Sequence, residues 1–305
     1  MNVALVIPTL NAGVRWQECL DALAAQSLQP DRRLIIDSAS ADETVALARR
    51  AGWEISTIRR ADFNHGGTRQ QALEMLSDCE LVIFLTQDAI LADPSALAAL
   101  VQSFADPKVA VAYGRQLPHR QATAIEAHAR LFNYGTESLP KDMSVAQKIG
   151  PKAFFCSNSF AAYRRRVVLE LGGFRRDLIL GEDAEFAARA LLAGYAVYYC
   201  AAAAAFHSHA YGVAETFRRY FDTGVFHARN AWMLEKFGSH GGEGMRFLAS
   251  EMRYLSQHAP LEIPKALLQS LAKAAGYKLG RNERRIPRKL KRRLSMMPRY
   301  WDVPG

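Results

Sequence analysis

The chain has 305 residues, half of them apolar and 23% charged, with 39 Lys and Arg against 30 Asp and Glu. That is enough apolar material for a full-sized core, and it excludes a globally disordered chain. The four cysteines, Cys19, Cys79, Cys156 and Cys200, are widely spaced with no CxxC pair; this excludes a disulfide scaffold and a zinc ribbon and suits a reducing compartment.

The first apolar run, VALVIPT at 3–9, has no charged segment before it and meets a proline, so it reads as a strand and not as a secretion signal. Asn11 and Gly13 break it, and 14–26 has helical spacing through Val14, Cys19, Leu20 and Leu23. RRLIIDS at 32–38 is a second strand, a helix follows over 42–51 with Asp42 as its cap, and WEISTIRR at 53–60 is a third strand. The polar stretch FNHGGTRQ leads into a helix at 68–78. LVIFLT at 81–86 is a fourth strand, Asp93-Pro94 opens a further helix, and VAVAYGRQ at 109–116 is a fifth strand. Strands alternating with helical segments of about ten to fifteen residues imply βαβ units. The predicted class is therefore α/β, a mostly parallel sheet flanked by helices, with ligands binding beyond the carboxyl ends of the strands.

Residues 117–150 have a mixed pattern. Residues 152–165 read as a strand and a helix start, and GGF at 172–174 as a turn. GEDAEFAARALLAG at 181–194 reads as a helix opening on acids, and YAVYYC as a strand. The stretch 213–236 reads as one helix with Phe217, Phe221, Val225, Ala228 and Trp232 on one face. GSHGGEG at 238–244 is the expected linker, and helices with a basic tail close the chain. No apolar run reaches the length of a membrane span.

Between Pro264 and Arg299 stand twelve Lys or Arg opposed by Glu283 alone, so the whole positive excess sits there and the rest of the chain is slightly acidic. Interleaved Ile286, Leu290, Leu294, Met296, Met297, Tyr300 and Trp301 give this tail the composition of a basic amphipathic segment lying on anionic lipid. A nucleic-acid-binding arm would leave the acidic strand ends elsewhere unexplained, and no nucleic acid is predicted as a partner.

The strand ends carry the chemistry. Thr9 and Asn11 follow the first strand and Asp37 ends the second. Asn64, His65, Gly66, Gly67 and Arg69 follow the third, and Thr86, Gln87 and Asp88 the fourth. Singly, each reads as a cap or turn residue; their recurrence at consecutive strand ends points to one rim. Acceptors such as Asp37 suit ring N–H groups or ribose hydroxyls, glycines admit close backbone donors, and Asp88 suits a divalent cation on a diphosphate. This would be a nucleotide-diphosphate site without a GxxxxGK[ST] loop. Gly181-Glu182-Asp183 opens a helix, where the dipole alone favours acids. His207-Ser208-His209 places two imidazoles two residues apart after a strand, which is metal-binding spacing if the backbone stays extended.

Taken in order, VIPTLNAG, LIIDSASADET, TQD, CSNSFAAYRRRVVLELGGF, GEDAEFAARALLAGY and FHSH resemble the family 2 inverting glycosyltransferases of the GT-A fold, over residues 2–236. FNHGGTRQ and LTQDA resemble the rhamnosyltransferase subgroup, which uses dTDP-L-rhamnose. The resemblance implies a GT-A domain at 1–237, with a nucleotide-binding half at 1–116 and an acceptor and catalytic half at 117–237. A helical, basic, membrane-associating region at 238–305 follows it. Thr9, Asn11 and Asp37 would contact the nucleoside, and Asn64, Gly67 and Arg69 would belong to the sugar-nucleotide loop. Thr86 and Gln87 would reach ribose or sugar. Asp183 would be the catalytic base with Glu182 beside it. Asp88 would be the metal ligand and His207 would complete the metal shell, with His209 as local rival. Asn158 and Arg164, with Arg165 and Asp222, are expected on the acceptor side.

TQD stands where that family usually has DxD, so one carboxylate is offered instead of two. Mg²⁺ or Mn²⁺ could still be held by Asp88, a diphosphate and His207, nitrogen ligation favouring Mn²⁺. The implied activity is inverting transfer of a sugar, L-rhamnose, onto a lipid-linked or glycan acceptor in bacterial surface polysaccharide synthesis. The implied location is the cytoplasmic face of the inner membrane. The alternatives are another UDP-, GDP- or dTDP-sugar, or a nucleotidyltransferase. For the latter, NAGVRW is a poor glycine-rich loop and GED has no role.

Overall fold

The strands of the computed structural model, which describes residues 1–238 and 241–302, join in a single sheet. They are β1 (Val3–Thr9), β2 (Arg32–Asp37), β3 (Glu54–Thr57), β4 (Leu81–Leu85), β5 (Ile90–Leu91), β6 (Val109–Leu117), β7 (Leu139–Lys141), β8 (Phe160–Arg164) and β9 (Ala196–Phe206). Their order is β3-β2-β1-β4-β8-β6-β9-β5, with β7 paired to β9. Strands β3, β2, β1 and β4 are parallel neighbours, β8 runs antiparallel to both β4 and β6, and β9 runs parallel to β6. The carboxyl ends of β1, β2, β4, β6 and β9 therefore share one rim, and the reversed β8 contributes its amino end to it. The register agrees: Thr9 lies opposite Asp37, Leu85 opposite Phe160 and Leu117 opposite Phe206.

These strands form because their apolar runs are continuous, as a sheet covered on both faces requires. LVIFL of β4 is buried throughout, and VALVIPT of β1 at every residue except Pro8. Trp16, Cys19, Leu20 and Leu23 of helix Trp16–Ala24 pack into the same core as Leu5, Ile7, Leu97 and Phe104. The expected strand YAVYYC runs on through its alanines to Phe206, because space beside them is short: a Cβ at Gly114 of β6 would come within 2.4 Å of both Ala203 O and the Phe160 ring.

Local chemistry shifts two expected boundaries. The helix expected at 68–78 is His65–Met75, since Asn64 caps it in extended conformation and its side chain accepts the Gly67 N–H at 2.8 Å. Asp42 is not a cap: helix Thr44–Arg50 starts after Glu43, and Asp42 closes a turn on the Thr44 N–H at 3.1 Å. The mixed stretch 117–150 resolves into helix Ala124–Asn133, β7 and helix Met143–Ile149.

The chain divides into two compact units. The first, Met1–Arg120, Tyr134–Arg176 and Glu182–His207, holds the whole sheet. The second comprises Gln121–Asn133, Asp177–Gly181 and the described residues from Ser208 onward, and is helical. Ser239 and His240 of the expected linker lie outside the described residues. The single helix expected over 213–236 breaks into Val213–Arg229 and Ala231–Phe237. At the break, Asn230 turns both its backbone N–H and its side-chain amide onto Phe226 O, each at 2.9 Å, the local competition that makes asparagine a poor helix residue.

Candidate functional site

Asp37 closes β2 and is buried. Its Oδ1 accepts from Thr9 Oγ1 at 2.8 Å and from Ser40 Oγ at 2.6 Å, and its Oδ2 accepts the Ser40 N–H at 2.8 Å. The carboxylate thus builds its own turn and ties β2 to β1, keeping acceptor capacity on Oδ2. Asn11, in a left-handed conformation with φ 47°, laces the same two loops: its Oδ1 accepts the Ala41 N–H and its N–H donates to Ser40 Oγ, both at 2.8 Å. Gln87 is committed to backbone. Its Oε1 accepts the Leu10 N–H at 2.8 Å and its Nε2 donates to Leu10 O at 3.1 Å, clamping the end of β4 to the end of β1. The Thr86 hydroxyl is buried and has no partner among the described residues, which leaves it for a ligand.

The acid pair opens helix Glu182–Leu192. Glu182 is buried, with Arg69 Nη1 at 3.1 Å and Asn158 Nδ2 at 2.9 Å from its Oε1. Burial alone would raise its pKa; the charge of Arg69, with His65, outweighs that and holds it below the usual carboxylate range. Asp183 accepts the Asn158 N–H at 2.9 Å and the Ala184 N–H at 2.8 Å. Burial, and then the adjacent Glu182 charge, push its pKa up to about 6. Two neighbouring carboxylates are thereby driven apart, one kept ionised by a counter-ion and the other poised to take a proton near neutrality. Asn158 is locked, since its Oδ1 accepts the Tyr163 hydroxyl at 2.7 Å while its Nδ2 serves Glu182.

Asp88, half-exposed just past β4, lies with its Oδ2 3.5 Å from Nε2 of His207, which is buried at the end of β9. Nδ1 of His207 is 3.0 Å from Gln116 Oε1, and Gln116 Nε2 donates to Ser157 Oγ at 2.8 Å. With the amide placed so, Gln116 Oε1 faces Nδ1, and Nε2 is the ring nitrogen turned toward the Asp88 carboxylate. A carboxylate oxygen and a ring nitrogen at this separation are bridged either by a proton on Nε2 or by a cation between them. One carboxylate oxygen and one imidazole nitrogen, the latter oriented by an outer amide, fit a divalent cation with mixed O/N preference. His207 stands at the end of β9, and His209 two residues on is exposed, with its ring stacked on Tyr211 at 5.3 Å. Asn158 and Ser159 are consecutive. Asn158 serves the acid pair, and Ser159 Oγ stands 3.5 Å from His207 Nε2. The acid pair and the Asp88–His207 pair are therefore joined through the amino end of β8.

Other expected positions fall elsewhere. Arg69 is buried, donates to His65 O at 3.1 Å as well as to Glu182, and lies over the Phe84 ring at 5.7 Å, so it is a counter-ion within the protein. The Gly67 N–H is taken by the Asn64 side chain, and a Cβ at Gly66 would sit 1.9 Å from Arg175 O, so Gly66 brings backbone to backbone. Arg164 pairs with Leu81 at the opposite end of β4, roughly 13 Å from the rim by strand rise. Its guanidinium donates to Val109 O at 3.2 Å and Phe104 O at 3.1 Å. Arg165 donates to Leu73 O at 2.8 Å. Asp222 is buried in helix Val213–Arg229 and accepts the Met296 N–H at 2.8 Å. Arg164 and Arg165 hold the fold at the far end of β8 and are not brought to the rim. Gln116, Ser157 and Ser159 were not singled out by the sequence. Gln116 looks like any polar strand end until its partner across the sheet is known.

A family model described as "Glycosyltransferase like family 2" matches residues 1–234. The chain is 50% identical over 303 residues to the O-antigen chain rhamnosyltransferase RfbN of Salmonella typhimurium, covering 99% of this chain and 96% of that one. It is 48% identical over 302 residues to the O-antigen chain rhamnosyltransferase WbaN of Salmonella anatum, with the same coverage. Among solved structures, the mannosyltransferase PcManGT of Pyrobaculum calidifontis, in complex with GDP-Man and Mn²⁺, aligns with a TM-score of 0.60 at 21% identity, over 96% of this chain and 84% of that one.

Proposed function

Because the chain belongs to glycosyltransferase family 2, and is thus a glycosyltransferase, we propose that it transfers L-rhamnose from dTDP-L-rhamnose, with inversion, in bacterial O-antigen synthesis. The acceptor is a lipid-linked or glycan hydroxyl. Residues 1–237 form the catalytic domain and residues 238–305 hold the enzyme at the cytoplasmic face of the inner membrane. Two relatives named as O-antigen rhamnosyltransferases, matched over nearly their whole length, support the sugar and the process. The observation that carries the chemistry is Asp183. It is held by two backbone N–H groups, made basic by burial and Glu182, and tied through Asn158-Ser159 to the Asp88–His207 pair.

In this reading Asp183 accepts the proton of the acceptor hydroxyl as that oxygen attacks the anomeric carbon, opposite the leaving diphosphate. Free deprotonation of an alcohol at neutral pH costs too much; the base acts as the bond forms. Asp88 and His207 would hold a Mg²⁺ or Mn²⁺ ion, which when bound neutralises the diphosphate; His209 is the alternative imidazole. Thr86 hydrogen-bonds the donor with its spare hydroxyl, Asp37 and Asn11 take the nucleoside side, and Asn158 orients the base. Incubation of the full chain with dTDP-L-rhamnose, UDP-sugars and GDP-sugars, reading nucleotide release, is expected to favour the dTDP donor. Preferential turnover of a UDP- or GDP-sugar would overturn the donor assignment.

Asp88→Ala is expected to weaken nucleotide binding in Mn²⁺ by about tenfold or more by calorimetry, because the site offers a single carboxylate. Affinity equal to the parent in both Mn²⁺ and Mg²⁺ would remove Asp88 from the metal site.

A further inference from the structure

Helix Ile263–Arg281 buries small residues and turns Leu267, Leu268 and Leu271 outward. Ala266, Gln269, Ala272, Gly276 and Gly280 are buried, whereas Leu267 is 44%, Leu268 55% and Leu271 68% exposed, and Leu261 just before the helix is 94% exposed. The inward face is fixed by backbone contact with helix Val213–Arg229. A Cβ on Gly276 would lie 2.4 Å from Phe217 O and one on Gly280 2.0 Å from Phe221 O, so no leucine could face that way. Were burial the only demand, the sequence would place leucine inward. The outward stripe continues through exposed Ala274 and Ala275 to Lys278 and Arg281.

Beyond the helix, Arg284, Arg285, Arg288, Lys289, Arg292 and Arg293 are exposed. The one acid between Ile263 and Arg293, Glu283, is buried and consumed by Arg229 at 3.0 Å and by Lys291. The surface charge of 284–293 is therefore cationic apart from Arg292, which pairs with Asp302 at 2.7 Å. The expectation that the tail's own apolar residues reach lipid is corrected here. Trp301 is buried beneath Arg229 and Lys291, the Tyr300 hydroxyl accepts from Arg229 Nη1 at 2.8 Å, and the Met296 side chain is partly buried. Of the seven interleaved residues only Leu290 is largely exposed.

We infer that the leucine face of helix Ile263–Arg281, with Leu261, enters the headgroup boundary of an anionic phospholipid bilayer, while the cationic run 284–293 lies against the lipid phosphates. An apolar stripe followed along the chain by a predominantly cationic stretch matches the layering of such a bilayer. The cationic run calls for an anionic partner surface, which lipid phosphates supply. No helix among the described residues is long and apolar enough to cross the membrane, so the helix lies on it. This deepens the membrane reading above and rests on it for its purpose, not for its geometry.

The test is co-sedimentation of the full chain with phosphatidylglycerol–phosphatidylethanolamine vesicles and with phosphatidylcholine vesicles, alongside donor turnover in solution. Binding to the anionic vesicles is expected, about tenfold or more weaker on the neutral ones. Leu267→Gln/Leu268→Gln/Leu271→Gln should lower anionic binding by about tenfold or more with helix content and donor turnover unchanged. Arg284→Gln/Arg285→Gln/Arg288→Gln should lower it and flatten its salt dependence. Parent-like sedimentation of the leucine variant would overturn the proposal. So would a solution dimer that the leucine variant dissolves, since the occupant would then be a second copy. Vesicle binding without turnover of any sugar nucleotide would instead count against the proposed reaction and leave this surface standing.

Discussion

Asp183→Asn is expected to slow sugar transfer by about a thousandfold or more, the scale of a lost general base, while donor affinity stays within about twofold. The amide keeps the shape and one acceptor for the two N–H groups of Asn158 and Ala184 but cannot take the acceptor's proton. The parent's rate should rise with pH through about 6, where Asp183 loses its proton, and the variant's residual rate should lack that limb. Stability should move the other way from activity. The folded-state pKa of Asp183 lies above its unfolded value, so the parent gains from Asp183 below the unfolded pKa, and that gain is lost as pH rises through the folded one. Asparagine removes this loss at the cost of one backbone hydrogen bond, about 1 kcal/mol. The variant's Tm at pH 7.5 should thus equal or exceed the parent's, and below pH 4 the parent should regain the advantage. Near-parental transfer by the variant would remove Asp183 from its role. A Tm several degrees lower at pH 7.5, with transfer lost, would mean that the effect was structural.

Most of this site was legible because its residues sit at strand ends that the apolar runs announce. VALVIPT, RRLIID and LVIFL fix where Thr9, Asp37 and Asp88 must emerge, and a parallel order puts them on one rim. The acid pair was legible as a motif at a helix start. Illegible were the roles that depend on partners distant in the chain. For Arg69 and Gly67, a polar, glycine-bearing loop reads the same whether it serves a phosphate or its own helix cap. The Asn64 cap and the Glu182 contact are partners that the sequence does not show. Arg164 misled because β8 runs against its neighbours, which sends its carboxyl end, and the arginine, away from the rim. Gln116 was invisible because orienting an imidazole needs only an amide at the right register, and β6 meets β9 through a bulge that sequence spacing does not reveal.

Arg69→Met is expected to destabilise the fold by about 3–5 kcal/mol near neutral pH, because it strands the buried carboxylate of Glu182. Arg69 Nη1 and Glu182 Oε1 are 3.1 Å apart with both side chains almost fully buried, so solvent cannot replace the lost partner. The pH dependence separates charge from packing. In the parent the Glu182 pKa is depressed, so its contribution is present above the unfolded value and is lost as pH falls through the folded one. In the variant the same carboxyl is buried without its cation, and its pKa rises. The stability gap, measured by urea unfolding, should therefore widen from pH 4 to pH 7.5 and not stay constant, as a purely steric defect would. Arg69→Met/Glu182→Gln should recover most of the lost stability, since a neutral amide keeps a hydrogen-bonding partner for Asn158 and needs no cation. The same pair of variants decides between the two roles of Arg69. A counter-ion whose charge ends on Glu182 leaves nucleotide affinity nearly restored in the double variant. An arginine that reaches the donor diphosphate leaves it as weak as in the single variant, because removing Glu182's charge returns nothing to the phosphate. Donor affinity by calorimetry, measured on folded double variant, reads the difference directly. The pairing predicts restoration: a guanidinium enclosed by Glu182, His65 O and the Phe84 ring has its charge neutralised inside the protein before any donor arrives.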